Sequence, residues 1–123
     1  MKRDFEDCFE AGIENLQAGA LAIRRGAAQI ILERQGADQI EKGVTLLEEG
    51  VLLIKKALRC KRRSKETAQI RKFLRWVKRG IRGIHLGLMD ISELWLKGLM
   101  EILRGLIEAE RGYQSLVRIR LPL

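Results

Sequence analysis

Gly12-Ile13-Glu14-Asn15-Leu16-Gln17-Ala18-Gly19-Ala20-Leu21-Ala22-Ile23-Arg24-Arg25-Gly26 carries three glycines seven residues apart in a stretch of otherwise helix-compatible residues. The same spacing returns at Gly36, Gly43 and Gly50, at Gly80 and Gly87, and at Gly98, Gly105 and Gly112, with only Gly83 out of step. Twelve glycines scattered at random over such a chain give about one pair seven apart, so the recurrence is a pattern and not a set of loops. With glycine called position d, position a reads Phe9, Leu16, Ile23, Ile30, then Ile40, Leu47, Ile54, then Ile70, Val77, Ile84, then Trp95, Ile102, Ala109, Leu116. Position e adds Ile13, Val44, Val51, Leu74, Ile81, Leu99 and Leu106. A heptad with apolar a and e is helical; a strand alternates with period two and cannot produce it.

Glycine inside a helix costs about 1 kcal/mol relative to alanine. Repeated at about ten positions, that approaches the net stability of a whole domain. Close approach of helix backbones, open to glycine because it lacks Cβ, is the compensation that physics offers. The spacing therefore predicts helix close-packing at Gly12, Gly19, Gly26, Gly43, Gly50, Gly80, Gly87, Gly98, Gly105 and Gly112.

Folding the first half back on itself about Arg34-Gln35 sets Gly26 against Gly43, Gly19 against Gly50 and Gly12 against Ala57. Folding the second half about Ser92-Glu93 sets Gly87 against Gly98, Gly80 against Gly105 and Phe73 against Gly112. The halves also superpose by offset. Gly19 and Gly26 map onto Gly80 and Gly87, and Gly36, Gly43 and Gly50 map onto Gly98, Gly105 and Gly112 after one inserted residue. This reads as an internal duplication. Gly36 is expected to close the first helix, Asp38-Gln39-Ile40-Glu41 and Asp90-Ile91-Ser92-Glu93 to open the second and fourth, and Ser64 to cap the third. Helices are predicted over 3–34, 38–61, 65–89 and 92–119, in one domain, 1–123. The first hairpin repeat spans about 3–61 and the second about 65–119. The fold class is all-α: two antiparallel helical hairpins with glycine heptads forming an up-down-up-down four-helix bundle.

At 123 residues, 46% hydrophobic and 33% charged, the composition is globular and large enough to bury a core without metal or disulfide. No run of roughly 18 apolar residues is present, so no membrane span is expected. The charged start, Met1-Lys2-Arg3-Asp4, is unlike a signal peptide, and the expected compartment is cytoplasmic. Cys8 and Cys60 fall near one another at the open end of the first hairpin. Two free thiols are expected there.

Catalytic patterns are missing. The one histidine, His85, has Arg82 three residues before it, not the carboxylate of a di-metal bundle, and it falls on the outer face. No phosphate loop, dinucleotide fingerprint or CxxC motif occurs, and Glu48 and Glu49 are adjacent and diverge on a helix. The chain reads as non-enzymatic, without cofactor or metal.

Charge is segregated within a net +8. Residues 1–50 sum to −4, residues 51–89 to +12 and residues 90–123 to zero. Arg59, Lys61, Arg62, Arg63, Lys65, Arg71, Lys72, Arg75, Lys78, Arg79 and Arg82 form a basic patch. Its third-helix members occupy the outward b, c and f positions. Such a stripe suits phosphates or an acidic surface. The fourth helix carries a second apolar stripe, Leu96, Met100, Leu103 and Ile107, outside the a/d/e core, and the first helix adds Leu21, Ala28, Ile31 and Leu32. Surplus stripes of this kind mark a partner surface. The leading expectation is a protein-interaction or assembly protein, a homo-oligomer or the partner of an acidic protein. The alternative is a nucleic-acid-binding protein using the basic 59–82 block.

Overall fold

The computed structural model describes residues 2–61 and 64–120, with side chains from Asp4 to Lys61 and from Ser64 to Ile119. Arg62 and Arg63 of the basic patch lie outside the described residues. Four helices follow in order: α1 (Lys2–Glu33), α2 (Ala37–Arg59), α3 (Lys65–Asp90) and α4 (Trp95–Arg120). α1 packs closely on α2 and α3 on α4, while α1 against α4 and α2 against α3 are looser, so two tight hairpins form one four-helix bundle. The diagonal pairs are separated by a core in which Leu16, Ile23, Ile40, Leu47, Ile54, Ile70, Ile84, Ile102 and Leu116 are buried.

The glycines hold the hairpins together. A methyl placed on Gly19 would lie 2.6 Å from the Gly43 carbonyl oxygen and 2.9 Å from the Leu47 amide nitrogen. One on Gly105 would lie 2.5 Å from the Gly80 oxygen and 2.8 Å from the Ile84 amide. In both cases the obstacle is backbone, which cannot rotate away as a side chain can. Gly83, outside the heptad, has its nearest neighbour at 3.4 Å, an ordinary contact.

In the second hairpin the facing pairs are Gly80 with Gly105, Gly87 with Gly98 and Phe73 with Gly112, as the spacing predicts. The first hairpin differs from its sequence reading by one heptad. Gly12 meets Gly50, Gly19 meets Gly43, and Gly26 meets Gly36. The reason lies in the turn. Arg34 takes the left-handed position after α1, with φ 56°, and Gly36 follows at φ 129°. The chain thereby doubles back against the Gly26 backbone before α2 begins. The last two turns of α1 overhang the start of α2 by about 10 Å, at 1.5 Å per residue. Leu32, at the outward c position of this segment, is 81% exposed.

Three cap assignments differ from the sequence reading, the first being that Arg34, not Gly36, takes the left-handed position that closes α1. α2 starts at Ala37 with Gly36 as its N-cap, and the Ile40 amide donates to the Gly36 carbonyl, so Asp38 lies inside the first turn and caps nothing. At the second turn, the Glu93 and Leu94 amides both donate to the Asp90 carbonyl, and α4 opens at Trp95, three residues beyond Ser92. Ser64 does cap α3. Its hydroxyl accepts from the Thr67 amide at 3.3 Å while the Ser64 amide donates to the Thr67 hydroxyl at 2.8 Å, with Thr67 buried. Ser64→Ala is expected to cost about 1 kcal/mol, whereas Ser64→Asp, which restores an acceptor, stays within a few tenths of wild type. Paired urea melts check this.

Candidate functional site

Two flanks of the bundle, α2–α3 and α1–α4, run between the hairpins on opposite sides. The helix register sends positions b and f of each helix onto them. On the α2–α3 flank these positions are Lys55 and Arg59 from α2 and Arg71, Arg75 and Lys78 from α3. Together they line a groove of about 410 Å³ floored by Leu58 and Leu74. Among the described residues no carboxylate lines the groove. None of the five cations has an ion-pair partner among the described residues. Lys78 is held at about 8, well below an ordinary lysine, by side-chain hydrogen bonding with Lys55, by desolvation and by the Lys55 charge.

That shift makes stability pH-dependent with a definite sign. Unfolded, Lys78 keeps its proton to about 10.5; folded, it releases it near 8. Across that window the unfolded chain binds more protons, so the contribution of Lys78 to stability rises with pH. Lys78→Gln is expected to remove this rise. Subtracting its urea stability from that of wild type at pH 7.5 and pH 9.5 isolates the effect from other alkaline titrations, and a difference that does not change with pH contradicts the assignment.

The structure does not gather the whole basic block into one stripe. Arg79, at position c, leans to the other side of α3 and meets Glu108 of α4 at 3.4 Å. Lys61 pairs with Glu66 at 3.0 Å and lies over the Phe5 ring. Lys72 lies over Trp76, and Lys65 and Arg82 are exposed. Lys55 belongs to the groove although it precedes the 59–82 block. The signal that assigns it is position b on α2, which faces position b on α3 once the two helices are neighbours. Farther along the same flank the chemistry reverses. Glu48 stands 3.8 Å from His85, and Glu41, Thr45 and Met89 line the groove beyond it.

The α1–α4 flank is apolar toward the first turn, while Glu10, Glu14 and Gln17 hold its b and f positions nearer the start of α1. Leu96, Met100 and Ile107 of α4 and Leu21 and Ile31 of α1 are between 46% and 62% exposed. Leu103, the fourth member of the α4 stripe, is half-buried against the core, which moves it from the outer surface to the base of this flank. An ion pair between Arg24 and Glu110 crosses from α1 to α4. The helices are antiparallel, so one heptad further along Ile31 comes level with Leu103. The register places Ile107, Ile31, Met100 and Leu96 in order along the flank from the Arg24–Glu110 pair toward the first turn, with Leu21 on the other side of the pair.

The hydroxyls of Thr45, Ser64, Thr67 and Ser115 and the Cys60 thiol are engaged with the backbone. Thr45 donates to the Glu41 carbonyl, Ser115 to the Arg111 carbonyl at 2.9 Å, and Ser64 and Thr67 are spent on the α3 cap. Cys8 is half-buried against the core and Cys60, exposed, closes α2; both are thiols. Among the described residues no three His, Cys, Asp or Glu side chains are grouped as a metal site. No described helix is long and apolar enough to cross a membrane. No family model, curated protein or solved structure matches this chain.

Proposed function

We propose that this chain is a non-enzymatic assembly protein that pairs with a second copy of itself through the α1–α4 flank. The observation that carries the reading is the contrast between two equivalent flanks: one presents five cations with Leu52 and Met89 as its exposed large apolar side chains, the other five half-exposed large apolar side chains. Five aliphatic side chains at roughly half exposure offer on the order of 500 Å² of apolar surface. This is at the upper end for a monomer and about what each partner supplies to a standard dimer, whose buried area is about 800 Å² per side and mostly apolar. Arg24, 61% exposed at its side chain, and Glu110 put both charge signs near one end of the patch, beside Leu21. An isologous interface needs a self-complementary surface, which an aliphatic patch supplies.

Sedimentation equilibrium over the micromolar range tests the reading. The expected mass is twice 14.1 kDa. A single 14.1 kDa species at the highest concentration overturns it.

A further inference from the structure

We propose that the α2–α3 groove is a binding site for a compact polyphosphate anion, held by Lys55, Arg59, Arg71, Arg75 and Lys78. It lies on the flank opposite the self-association patch and stands independently of it.

Three observations set the ligand class. First, the five cations converge from two helices on one depression of about 410 Å³, and among the described residues no acidic side chain lines it. Like charges gathered without a counter-ion are unfavourable, and the depressed Lys78 ammonium records that cost. A multiply charged anion relieves it. Three of the five are arginines, whose forked donors match phosphate oxygens in pairs, while the two lysines supply point charges.

Second, the site is short. From Arg71 to Lys78 along α3 is seven residues, about 10 Å. The neighbouring cations do not extend it: Arg79 is drawn to Glu108 and Lys61 to Glu66.

Third, the groove is closed electrostatically. Beyond Lys78 its walls carry Glu48 and then Glu41. A nucleic-acid backbone following the groove would run its phosphates onto those carboxylates, whereas a chain of two or three phosphates ends before reaching them. The apolar floor of Leu58 and Leu74 leaves room between the cations and adds no competing donor or acceptor.

The test is calorimetric titration of the whole chain with inorganic tripolyphosphate near pH 8, where Lys78 is about half protonated. One saturable site per chain is expected. Proton uptake should accompany it, read as a binding enthalpy that varies with the ionisation enthalpy of the buffer, because the bound anion restores the ordinary lysine value. Arg71→Gln with Arg75→Gln should weaken binding by about tenfold or more. Lys97→Gln, on α4 and away from the groove, should leave affinity within about twofold. Lys55→Gln should retain weakened binding but lose most of the proton uptake, which a general loss of positive charge does not explain.

Binding that does not saturate, or that weakens as much with Lys97→Gln as with the arginine pair, overturns the proposal. So does duplex DNA or hexaglutamate that binds more tightly than tripolyphosphate at equal ionic strength and is not displaced by it. The first of these ligands would assign the groove to nucleic acid and the second to an acidic protein. Unchanged circular dichroism melts of the glutamine variants, all on exposed or rim side chains, exclude unfolding as the cause of any loss.

Discussion

Gly105→Ala should melt well below wild type, and Gly83→Ala should melt above it. Both glycines lie in the α3–α4 hairpin, and both replacements add one methyl to a helix. Helix propensity alone favours each by about 1 kcal/mol. The surroundings decide the sign. At Gly105 the new carbon meets the Gly80 oxygen at 2.5 Å and the Ile84 amide at 2.8 Å, so two helix backbones must separate. Separation loosens Ile84 and Ile102, which are fully buried beside the contact. Overpacking of this kind costs about 1–3 kcal/mol, and these short distances put Gly105 at the upper end or beyond. For a chain of 123 residues a 3 kcal/mol loss lowers the midpoint by roughly 10 °C. At Gly83 the methyl meets only ordinary contacts, and the propensity gain of about 0.5–1 kcal/mol remains. Gly19→Ala should behave as Gly105→Ala does, because its obstacles are again backbone atoms, the Gly43 oxygen and the Leu47 amide. Thermal denaturation of the three variants settles the matter. Equal or raised midpoints for Gly19→Ala and Gly105→Ala remove close backbone packing as the purpose of the heptad.

Met100→Lys combined with Ile107→Lys should convert the proposed dimer to monomer without unfolding the chain. Both side chains are at least 49% exposed in the single chain, so the folded monomer tolerates a lysine at either position. In the assembly the same positions lie in the apolar patch, and each lysine must then be buried without a counter-ion or pushed out at the expense of packing. Burying unpaired polar or charged groups costs several kcal/mol. A penalty of about 3 kcal/mol for the pair weakens association by roughly 150-fold. Leu52→Lys is the matched control, since Leu52 is 64% exposed but sits on the α2–α3 side. Sedimentation should show monomer for the double variant and dimer for Leu52→Lys, both with native helix content. Loss of the dimer in Leu52→Lys, or its persistence in the double variant, displaces the interface from this flank.

The heptad of glycines by itself determined that the chain is helical, that there are two hairpins, and which residues face inward. A period of seven with apolar a and e leaves no strand alternative, and the burial of Ile23, Ile40, Leu47, Ile54, Ile84 and Ile102 follows from it. The hairpin registers were legible in unequal measure. The second is symmetric about its turn and reads directly. The first is not, because Arg34 and Gly36 adopt left-handed conformations that fold the chain back one heptad early. The offset between the halves already held the correct answer, since mapping Gly87 and Gly98 onto Gly26 and Gly36 gives the observed pair; the assumption of a centred turn concealed it.

Which helices are neighbours was decided only by tertiary structure. A heptad assigns each residue to a face of its own helix but does not say what that face meets. Hence the basic block read as one stripe on α3. In the bundle, position b turns Arg71 and Lys78 toward Lys55 of α2, while position c turns Arg79 toward Glu108 of α4. The α4 stripe met the same limit. Leu103 sank to the base of the flank because α1 lies beside it, and Leu96, Met100 and Ile107 stayed half-exposed because the described residues cover only part of them. Periodicity fixes direction relative to a helix axis; the arrangement of axes comes from packing the looser inter-hairpin layer, where large side chains, not glycines, set the distance.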